Sequence, residues 1–193
     1  MLFVKDLSIY GPSGLIVKNI SFKIKKGHCL ALVGESGSGK SMIALTMMGL
    51  LPSQLNASDY SESKKVKAIN KAMIFQEPMS SLNPTMRVGE QIMEGAMSSL
   101  RRTKSQAKEE AIMWIDKVKI KDAETSFLKY PHQLSGGERQ RVMIAMAMIM
   151  EPELLIADEP TTALDQRVAN DILSLIRDLQ IEKQVSLLFI SHD

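Results

Sequence analysis

GESGSGKS, from Gly34 to Ser41, decides how the rest of this chain is read. It matches G-x-x-x-x-G-K-[ST], and its flanks come in the order that pattern requires. HCLALV (His28 to Val33) reads as a short buried strand before it; MIALTMMGLL (Met42 to Leu51) reads as a helix after it, apolar around most of its surface. Gly34, Gly37 and Gly39 permit a tight turn whose backbone N–H groups, with those of Glu35, Ser36 and Ser38, face an anion. The helix start adds the positive end of its dipole. Lys40 then reaches the β- and γ-phosphates of a nucleotide, and the Ser41 hydroxyl ligates Mg2+. The competing reading is a glycine-rich turn with a solvated lysine, which requires neither the strand nor the helix.

A second acidic element fits this loop. The strand LLIAD ends in Asp158-Glu159-Pro160. An acidic residue at the end of an apolar strand is what a phosphate-loop enzyme uses to hold Mg2+, the role expected of Asp158. Glu159 can orient and deprotonate a water aimed at the γ-phosphate. A pair of acids after a strand, taken alone, is as often the start of a solvated turn. The all-apolar run before it places the strand centrally in a parallel sheet, expected to neighbour the strand of the phosphate loop.

A third stretch, LSGGERQ (Leu134 to Gln140), holds Ser135 and Glu138 at capping-box spacing, so a helix starts there. Gly136 and Gly137 are costly in a first helical turn. Small residues make sense if another surface approaches the exposed N–H groups, and a helix start suits a phosphate. The alternative is that Ser-Gly-Gly-Glu only caps the apolar helix behind it.

The remaining sequence supplies an ordered α/β pattern. LFVKDLSIY and LIVKNISFKI alternate as two strands joined by GPSG. Ser53 to Lys71 is polar and lysine-rich, with SDYSES in its middle, and reads as an exposed connection. KAMIFQ is an apolar strand. Pro84 to about Lys129 is helical and reads as an insertion rather than part of a parallel sheet. A strongly apolar helix (RVMIAMAMIM), the strand ELLIAD, a helix over Arg167 to Ile181 and the strand VSLLFI complete the chain. No internal repeat or low-complexity tract interrupts it.

Composition narrows the classes. The 193 residues suit one large domain or a core with a small subdomain; 45% hydrophobic and 24% charged content is ordinary for a globular protein. A net charge of +2 gives no argument for nucleic acid or a membrane surface. The single Cys29 excludes an intrachain disulfide, fits a reducing compartment and reads as a small buried apolar residue. No apolar run approaches 18 residues, and Lys5 and Asp6 argue against a signal peptide. Any membrane is expected to be reached through a partner. His28 and His132 stand too isolated for a metal site, Trp114 reads as core, and the 14 methionines read as flexible helix packing.

The ordered set GESGSGKS, FQEP, LSGGERQR, LLIADEP, ALD and ISHD resembles the ATP-binding-cassette ATPases from Leu2 to the last residue. FQEPMSSLNP, YPHQLSGGERQRVMIAMA and ADEPTTALD resemble the importers of peptides and nickel within that family. The resemblance implies an α/β fold: a phosphate-loop core with a mostly parallel sheet, an antiparallel β subdomain at the N-terminus and an inserted helical subdomain. It divides the chain into 1–83 (core with β subdomain), 84–133 (helical subdomain) and 134–193 (signature helix and remaining core). It implies that ATP and Mg2+ are bound, and that a subunit of a solute importer hydrolyses the ATP. Gln76 would ligate Mg2+ and sense the permease, and Tyr10 would stack on adenine. Ser135, Gly136 and Gly137, with Glu138 in the same motif, would face the γ-phosphate of ATP on the opposite subunit. Asp165 would lie at the dimer interface, and His192 would contact the γ-phosphate. The implied partners are a second, identical or paralogous ATPase, transmembrane permease subunits at the cytoplasmic face of the membrane and, indirectly, an external solute-binding protein. A shortened nucleotide-binding module without turnover, and a cassette ATPase outside transport, are the alternatives. Two departures stand out. Relatives carry a longer segment between the first helix and FQEP, and they continue past His192 with a helix and strands. The expectation is therefore that VSLLFI lies near an uncovered edge or face.

Overall fold

The computed structural model describes residues 2–192 except 59, 60 and 63–68, and leaves out the side chains of 61, 62, 79 and 80. Asp59, Tyr60 and Ser63 of SDYSES, with Lys64, Lys65 and Lys67 after it, thus lie outside the described residues. The chain forms two compact units: Met1–Met73 with Glu153–Glu159 and Gln180–Asp193, and Ile74–Pro152 with Pro160–Leu179.

The first unit begins with an antiparallel pair, β1 (Leu2–Gly11) and β2 (Gly14–Ile24), closed by the turn at Pro12-Ser13. Its register shifts around Leu7 and Ile9, and Asp6 and Asn19 adopt left-handed backbone conformations (φ 61° and 47°). Asp and Asn enter that region more readily than other side chains. The amides displaced from the ladder find hydroxyls instead: Asp6 N donates to Ser21 Oγ at 2.8 Å and Asn19 N to Ser8 Oγ at 2.9 Å. Two short strands, β4 (Asn56–Ala57) and β5 (Ser61–Glu62), pair with β1. The polar connection expected from the sequence therefore adds strand pairing that its composition did not reveal.

A second sheet carries the phosphate loop. It comprises β3 (Cys29–Val33), β6 (Lys71–Ile74), β7 (Leu154–Asp158) and β8 (Ser186–Ser191), in the order β3-β8-β7-β6, with β8 parallel to both β3 and β7. Helix α1 (Lys40–Met48) follows the loop and ends at Gly49 in a left-handed turn (φ 73°), where Leu50 N donates to Leu45 O at 2.8 Å. Leu2, Val4, Leu7, Ile9, Val17 and Ile24 from the antiparallel strands share one core with Ile43 and Met47 of α1 and Leu154, Ile156, Leu188 and Ile190 of the second sheet.

Three expectations change here. β8 lies inside the sheet and is almost wholly buried, so VSLLFI is not the uncovered strand. One edge is β3, whose Cys29, Ala31 and Val33 are exposed, Val33 to 62%. HCLALV is therefore half covered rather than buried, and Cys29 is not a core residue. β3 and β7 are also not adjacent, because β8 lies between them.

The second unit is mostly helical. Its helices are α2 (Pro78–Ser81), α3 (Val88–Ser99), α4 (Lys104–Lys117), α5 (Ala123–Phe127), α6 (Gly136–Met148) and the greater part of α7 (Gln166–Lys183). Thr103 caps α4 reciprocally with Gln106. Ile92, Ala96, Ala107, Ala111, Trp114, Ile115 and Ile144 are buried, so Trp114 is core. Gly89 is required by close packing, since a Cβ there would overlap the Phe127 ring. The final residues of α7 belong to the first unit, where Gln180 Nε2 donates to Gly27 O at 2.6 Å and to Val185 O at 3.2 Å. Among the described residues, no helix is long and apolar enough to cross a membrane.

Candidate functional site

The loop from Gly34 to Gly39 joins the end of β3 to the start of α1. Gly37 and Gly39 have left-handed backbones (φ 78° and 90°), and Ser38 N donates to Glu35 O at 3.3 Å across the turn. Gly39 is fixed by conformation and by space, because a Cβ would lie 2.5 Å from Val17 Cγ2. The hairpin thus supports the loop through Val17, a contact no sequence pattern marked. Gly39 offers no side chain to cap α1, so the first-turn N–H groups remain available to a ligand.

Three ionisable groups meet beside the loop. Lys40 is 7% exposed; its Nζ donates to Gly34 O at 2.7 Å and Glu35 O at 2.8 Å, and stands 3.9 Å from Glu159 Oε1. The Glu159 side chain is 12% exposed. Its Oε2 accepts from His192 Nδ1 at 3.0 Å. Glu159 itself has a left-handed backbone (φ 45°), and its N–H donates to Ile190 O at 3.1 Å. β8 therefore supplies the carbonyl that holds the Glu159 backbone, and the residue just past its end is the histidine that holds the Glu159 carboxylate.

Asp158 is buried at the end of β7 and accepts a hydrogen bond from Ser41. Burial pushes its carboxyl above the ordinary range and Glu159 adds to this, while the Ser41 hydroxyl and Lys40 act against it. Its Oδ1 is buried with no hydrogen-bond partner. An orphaned carboxylate oxygen beside a serine hydroxyl is a donor set suited to a small hard cation such as Mg2+.

Tyr10 lies in the same unit, 47% exposed at the end of β1 opposite Leu15. Lys40, Ser41, Asp158, Glu159 and His192 are thus brought together in one unit. Gln76, exposed just after β6, Ser135 to Glu138 and Asp165 belong to the other.

That second group has its own geometry. Ser135 Oγ accepts from Glu138 N at 3.3 Å, and Glu138 Oε2 accepts from Ser135 N at 2.9 Å, the reciprocal cap expected at the start of α6. The Ser135 N–H and, to a smaller extent, its hydroxyl, Lys129 and Arg141 hold the Glu138 carboxyl below its usual range against the opposing effect of burial. The two glycines differ. A Cβ on Gly136 would make ordinary contact with Leu164 at 3.6 Å, whereas one on Gly137 would lie 2.7 Å from Val168 Cγ1. Gly137 thus has a packing reason within the chain as well. Asp165 has a local task as well: its Oδ1 accepts from Arg167 N at 3.2 Å and Val168 N at 3.1 Å, capping α7.

Comparison with known proteins identifies the family. A family model described as ABC transporter matches residues 17–162. The oligopeptide transport ATP-binding protein OppD of Escherichia coli (strain K12) is 44% identical over 211 residues, covering 100% of this chain and 62% of that protein. The glutathione import ATP-binding protein GsiA of the same strain is 45% identical over 197 residues, covering 92% of this chain and 32% of that protein. The chain thus spans less than two thirds of the length of either curated relative. A dimeric ATP-binding cassette solved in a post-hydrolysis state with ADP and Pi superposes with a TM-score of 0.80 at 25% identity, covering 100% of this chain and 88% of that one. A Clostridium perfringens protein, cbiO1, described as part of the ABC transporter complex cbiONQ, gives a TM-score of 0.81 at 26% identity, over 100% of this chain and 78% of that one.

Proposed function

Because the chain belongs to the ABC transporter family, we propose that it binds and hydrolyses ATP as the motor subunit of an importer. The observation that carries this reading is the meeting of Lys40 and His192 on the Glu159 carboxylate, at 3.9 and 3.0 Å, beside the phosphate loop. In this reading the backbone of Gly34 to Gly39 and the start of α1 take the phosphates. Lys40 neutralises their charge. Ser41 and Asp158 would hold Mg2+, with Gln76 as a further oxygen ligand; the ion, when bound, would offset the negative charge of the phosphates. Glu159 orients the attacking water and accepts its proton, and His192 fixes the Glu159 carboxylate and reaches the γ-phosphate. Tyr10 offers its exposed ring to adenine.

The capped start of α6, with Ser135, Gly136, Gly137 and Glu138, is assigned to the ATP of a second cassette subunit, with Asp165 near the same interface. The permease is addressed through Gln76 and the helical segment, which places the chain at the cytoplasmic face of a membrane without entering it. An external solute-binding protein completes the system. Peptides are the favoured solute class over nickel, because the relatives are named for oligopeptide and glutathione transport.

The test is ATP hydrolysis by this chain with Mg2+, beside Glu159→Gln. Loss of a general base costs about 10² to 10⁴ in rate, so the variant is expected to fall at least about a hundredfold. Equal rates would overturn the catalytic assignment and favour a binding module without turnover.

A further inference from the structure

The same three side chains carry a consequence for how nucleotide enters, one that rests on the reading of Gly34 to Ser41 as a nucleotide site. Lys40 has three N–H donors. Two are committed to Gly34 O and Glu35 O, at 2.7 and 2.8 Å, and Nζ faces Glu159 Oε1 at 3.9 Å. Glu159 is engaged on both sides as well: Oε1 faces Lys40, and Oε2 accepts from His192 Nδ1 at 3.0 Å. The ammonium and the carboxylate are 7% and 12% exposed, so water and salt screen their attraction little. The Glu159 backbone is held in place by its bond to Ile190 O. The carboxylate therefore reaches Lys40 from an anchored position.

We propose that the Glu159 carboxylate competes with a phosphate for the Lys40 ammonium, a resting contact that nucleotide must displace. A phosphate reaching Lys40 competes with two carbonyls and a carboxylate. Its arrival also frees Glu159 from the cation, so the base is released for water only when phosphate has taken its place. Entry of the nucleotide and arming of the base are one exchange.

Two substitutions separate this contact from general electrostatics. Glu159→Gln removes the charge. Glu159→Asp keeps the charge but withdraws the carboxylate by about one C–C bond, roughly 1.5 Å, from both Lys40 and His192. Asp also tolerates the left-handed backbone at this position. The measurement is calorimetric titration of the chain and both variants with ADP and no added metal, where hydrolysis plays no part. Both variants are expected to bind ADP roughly fivefold more tightly than the native chain, the scale of one ion pair. If Glu159→Asp binds ADP no more tightly than the native chain, the resting contact is overturned, whatever Glu159→Gln does, because charge at a distance then suffices. If the native chain and both variants all fail to bind ADP, the nucleotide reading of the loop falls, and the inference with it.

Discussion

At the scale of single residues, neighbouring positions with the same letter have different reasons for it. Gly136 and Gly137 look alike in sequence, and both suit a helix start that must admit a phosphate. Only Gly137 is closed by its own chain, with Val168 Cγ1 2.7 Å from where a Cβ would stand. Gly137→Ala is therefore expected to cost about 1–3 kcal/mol by overpacking, partly restored by Val168→Ala, while Gly136→Ala leaves stability within about 0.5 kcal/mol. Chemical denaturation of the four chains checks this, and equal losses at both glycines would contradict it. Asp165 shows a similar division. Its place in the ALD motif was legible, but its capping of α7 became visible only with the Arg167 and Val168 amides located. The left-handed backbone of Glu159 had no sequence signal either. Asp or Asn would have hinted at it; Glu does not.

At the scale of elements, local signals read well where the partners are close in sequence. The capping box at Ser135 and Glu138 formed as its spacing predicts, since both partners lie within one turn. Its pH dependence follows from the depressed Glu138 carboxyl. A carboxyl lowered in the folded state contributes stability that is full above the ordinary carboxylate range, about pH 4.3 for Glu. It is lost as pH falls through the lower folded value. The stability difference between the native chain and Glu138→Gln should thus be flat from pH 7 to about pH 5 and shrink towards pH 3. Thermal melts across that range test it; a difference that grows on acidification would refute the cap. Ser135→Ala should cost about 1 kcal/mol at neutral pH. Pairing between distant elements was less legible. The short strands β4 and β5 come from a polar segment whose composition suggested a solvated connection, and they exist because β1 offers a free edge to pair with.

At the scale of the whole molecule, the sheet order corrected the expectation about exposure. A run such as HCLALV looks as apolar as LLIAD, yet β7 is flanked on both sides and β3 on one. The exposed face of β3, with Val33 62% accessible, is an edge surface open to self-association. Val33→Lys is expected to reduce concentration-dependent light scattering on mild heating while changing stability by no more than about 0.5 kcal/mol. Unchanged scattering would place the association elsewhere. The sequence alone determined the family, the phosphate loop, the acidic pair after β7 and the start of α6, because each is a short run whose chemistry depends on residues a few positions apart. Only the tertiary structure decided that β8 lies between β3 and β7, that Val17 supports Gly39, and that Lys40, Glu159 and His192 meet. Those contacts join residues more than twenty positions apart, and the sheet order and packing that bring them together depend on the whole core rather than on any one segment.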